Sequence, residues 1–347
     1  MTTNQNLENS ISAANADEPF DYNGAFIINS GLLSAEEQQK LKQARITVMG
    51  MFAGGSIAVM LARASACNFT LIDHRSYQID DMNRDIGCFS DTLGRNKAEV
   101  IKEEILRINP QAGVEVCTEE ISLKEIGEYI ENSDVYFAQA DDLALSAKSL
   151  VVAQNKNRFA ISFMPSGMTG YVIVLHPDLP YMIDPTDLFG SPKDLTYKEL
   201  YRFLRNPLNR CGRRWHITEG KWRIDWFNRW RDRKAIETQL CPNAWLGASL
   251  AAMEAIKYLT GKWRTVRAPK MWHLLTAEGK VKTEKFRRRS RLFGKFIYWT
   301  FSIRLFDFGR RYRRYTARRL LNELNDMQRQ ENEGKDVRPP FMWRHLI

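Results

Sequence analysis

Paired cysteines and long apolar runs are both missing from this 347-residue sequence. The five cysteines, Cys67, Cys88, Cys117, Cys211 and Cys241, are odd in number, widely scattered and never spaced as Cys-x-x-Cys. Neither a zinc site nor a disulfide framework is therefore indicated, and a reducing compartment follows. No stretch approaches the ~18 uninterrupted apolar residues of a spanning helix, and Met1–Ala16 lacks the apolar centre of a signal peptide. These absences lead us to expect a cytoplasmic protein. Nor is a metal or disulfide needed for stability, because a chain of this length buries a sizeable core. What the sequence does carry is positive charge, a formal +10, with most of the excess after residue 200.

The chain is organised around residues 46–73. A β-branched run, Ile46 to Met49, ends in a glycine turn containing Gly50, Gly54 and Gly55. An amphipathic helix is expected from about Ile57 to Ala66, and a second apolar run closes on Asp73. This is the pattern of one βαβ unit, with a phosphate-facing turn and a ribose-facing carboxylate where a nucleotide needs them. Backbone N–H groups at a helix N-terminus favour phosphate, and glycine admits the ligand without a Cβ in the way. An ordinary βαβ unit whose glycines serve only packing fits the same residues, the more so because Met51, Phe52 and Ala53 fill the middle of the turn.

Residues 1–25 are polar and read as a mobile leader. Ser34 and Glu37 form a capping box for a helix to about Lys42. The stretch Asp80-Asp81-Met-Asn83-Arg84-Asp85 has no period and is read as a loop outside the core, at the C-terminal edge of the sheet. Gly94-Arg-Asn-Lys97 opens a helix running to Arg107, stopped by Asn109-Pro110. Val114–Cys117 is a strand, Leu123 to Asn132 a helix, and Val135 to Ala140 a buried strand ending at Asp141-Asp142. A carboxylate there either holds Mg²⁺ beside phosphates or caps the next helix, Leu143 to Asn155. The residues alone leave both open for Asp141. Phe159–Phe163 and Gly170–Leu175 read as strands, and residues 176–240 as a long insertion with short helices at Tyr197–Leu204 and Trp222–Arg231. Leu246 to Leu259 is a helix closed by Gly261, and Lys270–Leu275 is the last clear strand.

In this order the segments resemble the ThiF/MoeB/HesA superfamily, the adenylating fold shared with ubiquitin-activating enzymes, from about Phe26 to Glu284. The resemblance is carried by Phe26-Ile-Ile28-Asn29-Ser-Gly31 with Glu37-Gln38, the glycine turn, Asp73, Arg84, Gly94-Arg-Asn-Lys97, Ile108-Asn-Pro110, Asp141 and Ala252 to Gly261. It implies an α/β fold: a Rossmann-like nucleotide-binding domain over 26–284, an Arg/Trp-rich insertion at 176–240 and a basic helical extension over 285–347. It also implies ATP and Mg²⁺, a homodimer, and a carboxylate substrate on a peptide, ubiquitin-like protein or metabolite that becomes an acyl-adenylate. Carried over by position, Gly50, Gly54 and Gly55 cradle phosphate, Asp73 takes the ribose, Arg84 and Lys97 bind the phosphate tail, and Asp141 carries Mg²⁺. Without the resemblance, Arg84 and Lys97 read as solvated surface charges. Five positions depart from the family pattern. Phe52 and Ala53 stand for its central glycines, Arg75 for the second acid of its Asp-x-Asp, Asp81 for an asparagine, and Ile28 for the arginine that reaches into a partner's ATP site. The resemblance then implies either that Arg75 or another cation substitutes, or that this is a weak or inactive relative. Cys211 and Cys241 lie in or after the crossover where thioester-forming members keep a nucleophile, although Cys241-Pro242 equally starts a helix with a buried thiol.

Between Lys285 and Arg319, arginines flank an aromatic stretch, Leu292 to Phe308. An anionic lipid surface would select this composition, and so would packing of the aromatic face on the domain. RNA or an acidic peptide fits less well, so nucleic acid is not expected as the partner. A polar helix is expected from Ala317 to Gln330. Two functions follow: ATP-dependent adenylation of a carboxylate, with ribosomal peptide modification as one setting, or a degenerate, non-catalytic member that binds a partner or a membrane surface. A dinucleotide redox enzyme is a third reading, but it leaves Arg84, Lys97 and Asp141 without a common purpose.

Overall fold

The computed structural model describes residues 19–178, 195–206, 210, 213, 215–285, 319 and 322–334. Its centre is one eight-stranded sheet in the order β3-β2-β1-β4-β5-β6-β7-β8. The strands are β1 (Arg45–Met49), β2 (Asn68–Ile72), β3 (Gly113–Cys117), β4 (Val135–Ala138), β5 (Phe159–Ser166), β6 (Thr169–Leu175), β7 (Lys270–Leu275) and β8 (Lys280–Lys285). The first five run parallel and β6 to β8 follow antiparallel. The helices used below are α1 (Ala35–Gln43), α2 (Met51–Arg63), α3 (Lys97–Ile108), α4 (Leu123–Glu131), α5 (Leu143–Asn155), α6 (Tyr197–Arg205), α7 (Ile224–Arg231) and α8 (Cys241–Thr260).

The sheet is covered on both faces, as a parallel sheet must be. Strand β4 shows this at single-residue period: Val135 and Phe137 enter the core shared with α2, α3 and α8, while Tyr136 and Ala138 enter the core shared with α4 and α5. The chain goes from β1 to β2 and β3 on one side, then back to β4 and β5 on the other. The strand order thus reverses between β1 and β4, which opens a crevice at their C-terminal ends.

Several boundaries differ from the sequence reading. Helix α2 starts at Met51, directly after Gly50, rather than at Ile57. Gly54 and Gly55 therefore lie inside a helix, where a Cβ would come 2.6 Å from Val48 Cγ1 and 3.0 Å from Ile101 Cδ1 respectively. Helix α8 starts at Cys241, five residues before the expected Leu246, with Pro242 in its first turn. Strand β8 was missed, being a charged, exposed edge strand without an apolar face. The Ser34–Glu37 capping box and the left-handed Gly261 cap are present.

Within the expected leader, Tyr22 is buried and its hydroxyl donates to Ser65 O at 2.7 Å, so the chain is docked there. Most of the arginine-rich stretch falls outside the described residues, as does Cys211. Residues 322–332 form the expected late helix, but it is not wholly solvated. Leu324 is buried among Trp222, Phe227 and Trp230 of the insertion, Asn228 Nδ2 donates to Gln328 Oε1 at 2.9 Å, and Ile224 N to Glu331 Oε2 at 3.1 Å. Truncating this anchor by Leu324→Ala should cost about 3 kcal/mol and lower the urea midpoint. An unchanged midpoint would show that the late helix adds nothing to the body.

Candidate functional site

The crevice between β1 and β4 is built on a close backbone approach. Gly50 has φ +90°, and a Cβ there would lie 2.4 Å from Gln139 O, so only glycine fits. Gly50 N donates to Ile72 O at 2.8 Å and Gln139 N to Met49 O at 2.8 Å, extending the ladder to the lip of the sheet. Asp73 then meets the first turn of α2, its Oδ2 accepting from Met51 N at 2.7 Å. This puts a carboxylate at the positive end of the helix and occupies one of its free N–H groups. Asn96 fixes the same corner, donating to Asp73 O at 2.9 Å while its Oδ1 caps α3.

Of the residues predicted for the site, Gly50, Asp73, Arg84 and Lys97 come together around this corner. Gly54 and Gly55 do not face the crevice; both are buried and their α-carbons pack on Val48 and Ile101. That packing is the plainer of the two roles open to them in the sequence. Phe52 is half-buried and its ring lies under Arg84, 5.1 Å from the guanidinium carbon, which suits a cation–π contact.

Arg84 and Lys97 are not solvated surface charges. Lys97 Nζ lies 2.9 Å from Asp81 Oδ2 and 2.8 Å from Asp85 Oδ2, and all three residues are buried. Arg84 Nη2 is 3.1 Å from Asp81 Oδ1, Nη1 donates to Asn83 Oδ1 at 2.9 Å, and Nε is 3.9 Å from Asp85 Oδ1. The stretch 80–85, expected outside the core, thus sends Asp81 and Asp85 into it. Two carboxylates there balance two cations. Burial pushes Asp85 up to about 6, although Lys97 works against the shift. Burial also opposes the Asp81 charge, but Lys97, the Gln78 N–H and Arg84 outweigh it and hold that carboxyl below its ordinary range. Lys97 is held above its usual value because Asp85 and Asp81 together overcome its burial. The buried Tyr77 ring closes the cluster, 5.3 Å from Lys97 Nζ.

Asp141 stands apart from these cations. Its Oδ2 lies 2.6 Å from Arg75 Nη1, and both side chains are about half-exposed. The magnesium expected at Asp141 therefore meets a carboxylate already paired with a guanidinium, and among the described residues no cluster of three acidic, histidine or cysteine side chains is arranged to hold a metal. Asp142 caps α5 and accepts from Tyr197 Oη of the insertion at 2.5 Å. Cys241 opens α8 with its thiol pushed up by burial, which does not favour a thiolate nucleophile. Sequence reasoning missed Asp85, Asn96 and Trp245, whose Nε1 donates to Arg84 O at 2.9 Å. The signal for Asp85 was present: acids at 81 and 85, one helical turn apart, bracket the arginine.

A family model described as ThiF family matches residues 27–292. The tRNA threonylcarbamoyladenosine dehydratase of Haemophilus influenzae is 29% identical over 180 residues, covering 51% of this chain and 68% of that protein. SUMO-activating enzyme subunit 1 of Xenopus laevis is 29% identical over 153 residues, covering 43% of this chain and 42% of that subunit. The crystal structure of Escherichia coli MccB with AMPCPP and MccA matches with a TM-score of 0.54 and 18% identity, over 72% of this chain and 65% of that one. This last likeness shows the fold alone. Across the first curated relatives the chain spans from 16% to 68% of their length.

The charge balance around Lys97 makes a pH test possible. As pH falls through about 6, Asp85 takes up a proton, leaving Lys97 and Arg84 facing Asp81 alone and the cluster net positive. Wild-type affinity for inorganic triphosphate, taken relative to that of Asp85→Asn so that the ligand's own protonation cancels, should therefore rise between about pH 7.5 and about pH 5.5, by up to about tenfold. The Asp85→Asn protein should lack this component, so superimposable profiles for the two proteins in titration calorimetry would contradict it.

Proposed function

The chain belongs to the ThiF family, and from that premise we propose that it binds ATP in the crevice between β1 and β4 and adenylates a carboxylate. What supports the reading is the convergence of Gly50, Asp73, Arg84 and Lys97 at the point where the strand order reverses, with Asp141 on the facing strand end. On this reading Asp73 receives the ribose, the first turn of α2 lies against phosphate, and Arg84, the more open of the two cations, meets the phosphate tail. A substrate carboxylate oxygen bonds to the α-phosphorus, the α–β bridging bond breaks, and pyrophosphate leaves with its electron pair. The reaction joins two anions, so fixed positive charge lowers its barrier. No step is assigned to Mg²⁺, given the pairing of Asp141 with Arg75.

The substrate class we propose is a peptide or small protein, in line with MccB, solved with MccA, and with the SUMO-activating subunit. MccB has also been solved with ATP. A homodimer is part of the proposal. Ile28 and Leu32 are exposed beside α1, and α8 presents Trp245 and Met253 two turns apart, surfaces that suit a second copy. For the arginine-rich stretch 285–319 an anionic lipid surface is the partner its composition supports. Ile28 and the neutral cluster around Lys97 favour a second reading, a member that holds nucleotide without turnover.

Calorimetry with ATP, followed by pyrophosphate release in the presence of candidate carboxyl-terminal peptides, separates these readings. Binding with release supports the enzyme, and binding without release across such substrates supports the second reading. Arg84→Gln should weaken ATP binding by about tenfold, the weight of one charge-assisted contact, with its fold checked by circular dichroism. Wild-type affinity in this variant would remove Arg84 from the site.

A further inference from the structure

We propose that Arg75 supplies, from within this chain, the fixed positive charge at the Asp141 end of the site, standing where a divalent ion would otherwise be held by that carboxylate. The inference rests on the nucleotide reading above and names a residue that the reading does not use.

Arg75 is where three parts of the site meet. Its N–H donates to Asp73 Oδ1 at 2.9 Å, and its carbonyl accepts from Lys97 N at 2.9 Å, where α3 begins. Its side chain crosses to the end of β4, with Nη1 2.6 Å from Asp141 Oδ2. The main chain is thus pinned at the ribose-side carboxylate and at the first residue of α3, while the guanidinium is aimed by Asp141. A flexible surface arginine has no such tethers. The Arg75 and Asp141 side chains are 51% and 48% exposed, so the pair faces open space rather than core. A guanidinium carries five N–H donors in a planar fork, and a carboxylate that holds one edge leaves the remainder for an anion.

Charge accounting points the same way. Arg84 and Lys97 are matched by Asp81 and Asp85, so that cluster brings no net charge to a phosphate. Ile28, where the resembling family has its arginine, is 85% exposed and brings none either. Arg75, half-exposed and held by Asp141 through Nη1 alone, has donors to spare. A divalent ion on Asp141 would have to expel it or sit against it, like charge on like charge.

The test is titration calorimetry of the full chain with ATP, once in Mg²⁺ and once in EDTA, for wild type, Arg75→Ala and Arg75→Lys. Wild-type affinity should differ by less than about threefold between the two buffers, as expected when no metal-bridged contact is lost. Arg75→Ala should lose about tenfold or more in EDTA and regain part of it in Mg²⁺, because Asp141 is then free, while Arg75→Lys keeps most of the EDTA affinity. Wild-type binding that needs Mg²⁺, with Arg75→Ala unchanged in EDTA, would overturn the inference and leave the nucleotide reading standing. No ATP binding by the wild type in either buffer would overturn both.

Discussion

Everything at the site depends on how closely Gly50 passes the end of β4. Its positive φ and the 2.4 Å that would separate a Cβ from Gln139 O leave no room for a side chain between the two strand ends. Because the strands come this near, α2 can begin one residue after β1, and the first N–H of that helix points at the end of β2, where Asp73 accepts it. The same approach brings the residues after β4 within reach of those after β2, so that Arg75 and Asp141 touch across the crevice. A bulkier residue at 50 would push β4 away and dissolve the corner, whichever ligand it serves.

The buried cluster of Arg84, Lys97, Asp81 and Asp85 follows a different logic. Four charges taken out of water are tolerable only while each has its opposite, and removing one member leaves another unpaired in a low-dielectric setting. Such a cluster is poor evidence for stability, but it fixes geometry. Lys97 sits on the first turn of α3, and Asp81 and Asp85 on the loop after β2, so the ion pairs lock that loop to the helix. Arg84 is then held against Phe52 in the first turn of α2, and that aromatic ring becomes a platform for a cation. This is a physical reason for Phe52 that the sequence alone did not offer.

The central strands β1, β4 and β5 were legible because they are mostly buried and read as continuous apolar runs, of which Val135 to Ala138 is the clearest. The capping box at Ser34 and the glycine at 261 were legible because a cap is a local device that needs no tertiary partner. Helix α2 was misjudged at its start because two adjacent glycines ordinarily mark a turn, whereas here they let a helix lie close on β1 and α3, a fact set by Val48 and Ile101 far along the chain. Strand β8 was invisible because an exposed edge strand has no apolar face to betray it. Arg84 and Lys97 were singled out by their order along the chain, but their pairing with Asp81 and Asp85 could not be read there. Burial of a carboxylate depends on which helix comes to cover it.

The insertion reaches the crevice end of the sheet through α6. Tyr197 Oη bonds to Asp142, next to Asp141, so α6 is fastened to the end of β4 that the nucleotide reading uses. Further along, Met168 N donates to Gly220 O at 3.0 Å and Gln239 Nε2 to Pro165 O at 2.7 Å, which ties the insertion to the β5–β6 turn. Its outer face is then closed by residues 322–332 through Leu324, Gln328 and Glu331. The described insertion residues are thus held both to the end of β4, beside Asp141, and to residues 322–332. On the proposed reading, selectivity for the carboxylate lies in residues 195–240, where βα alternation gives way to tryptophan and arginine.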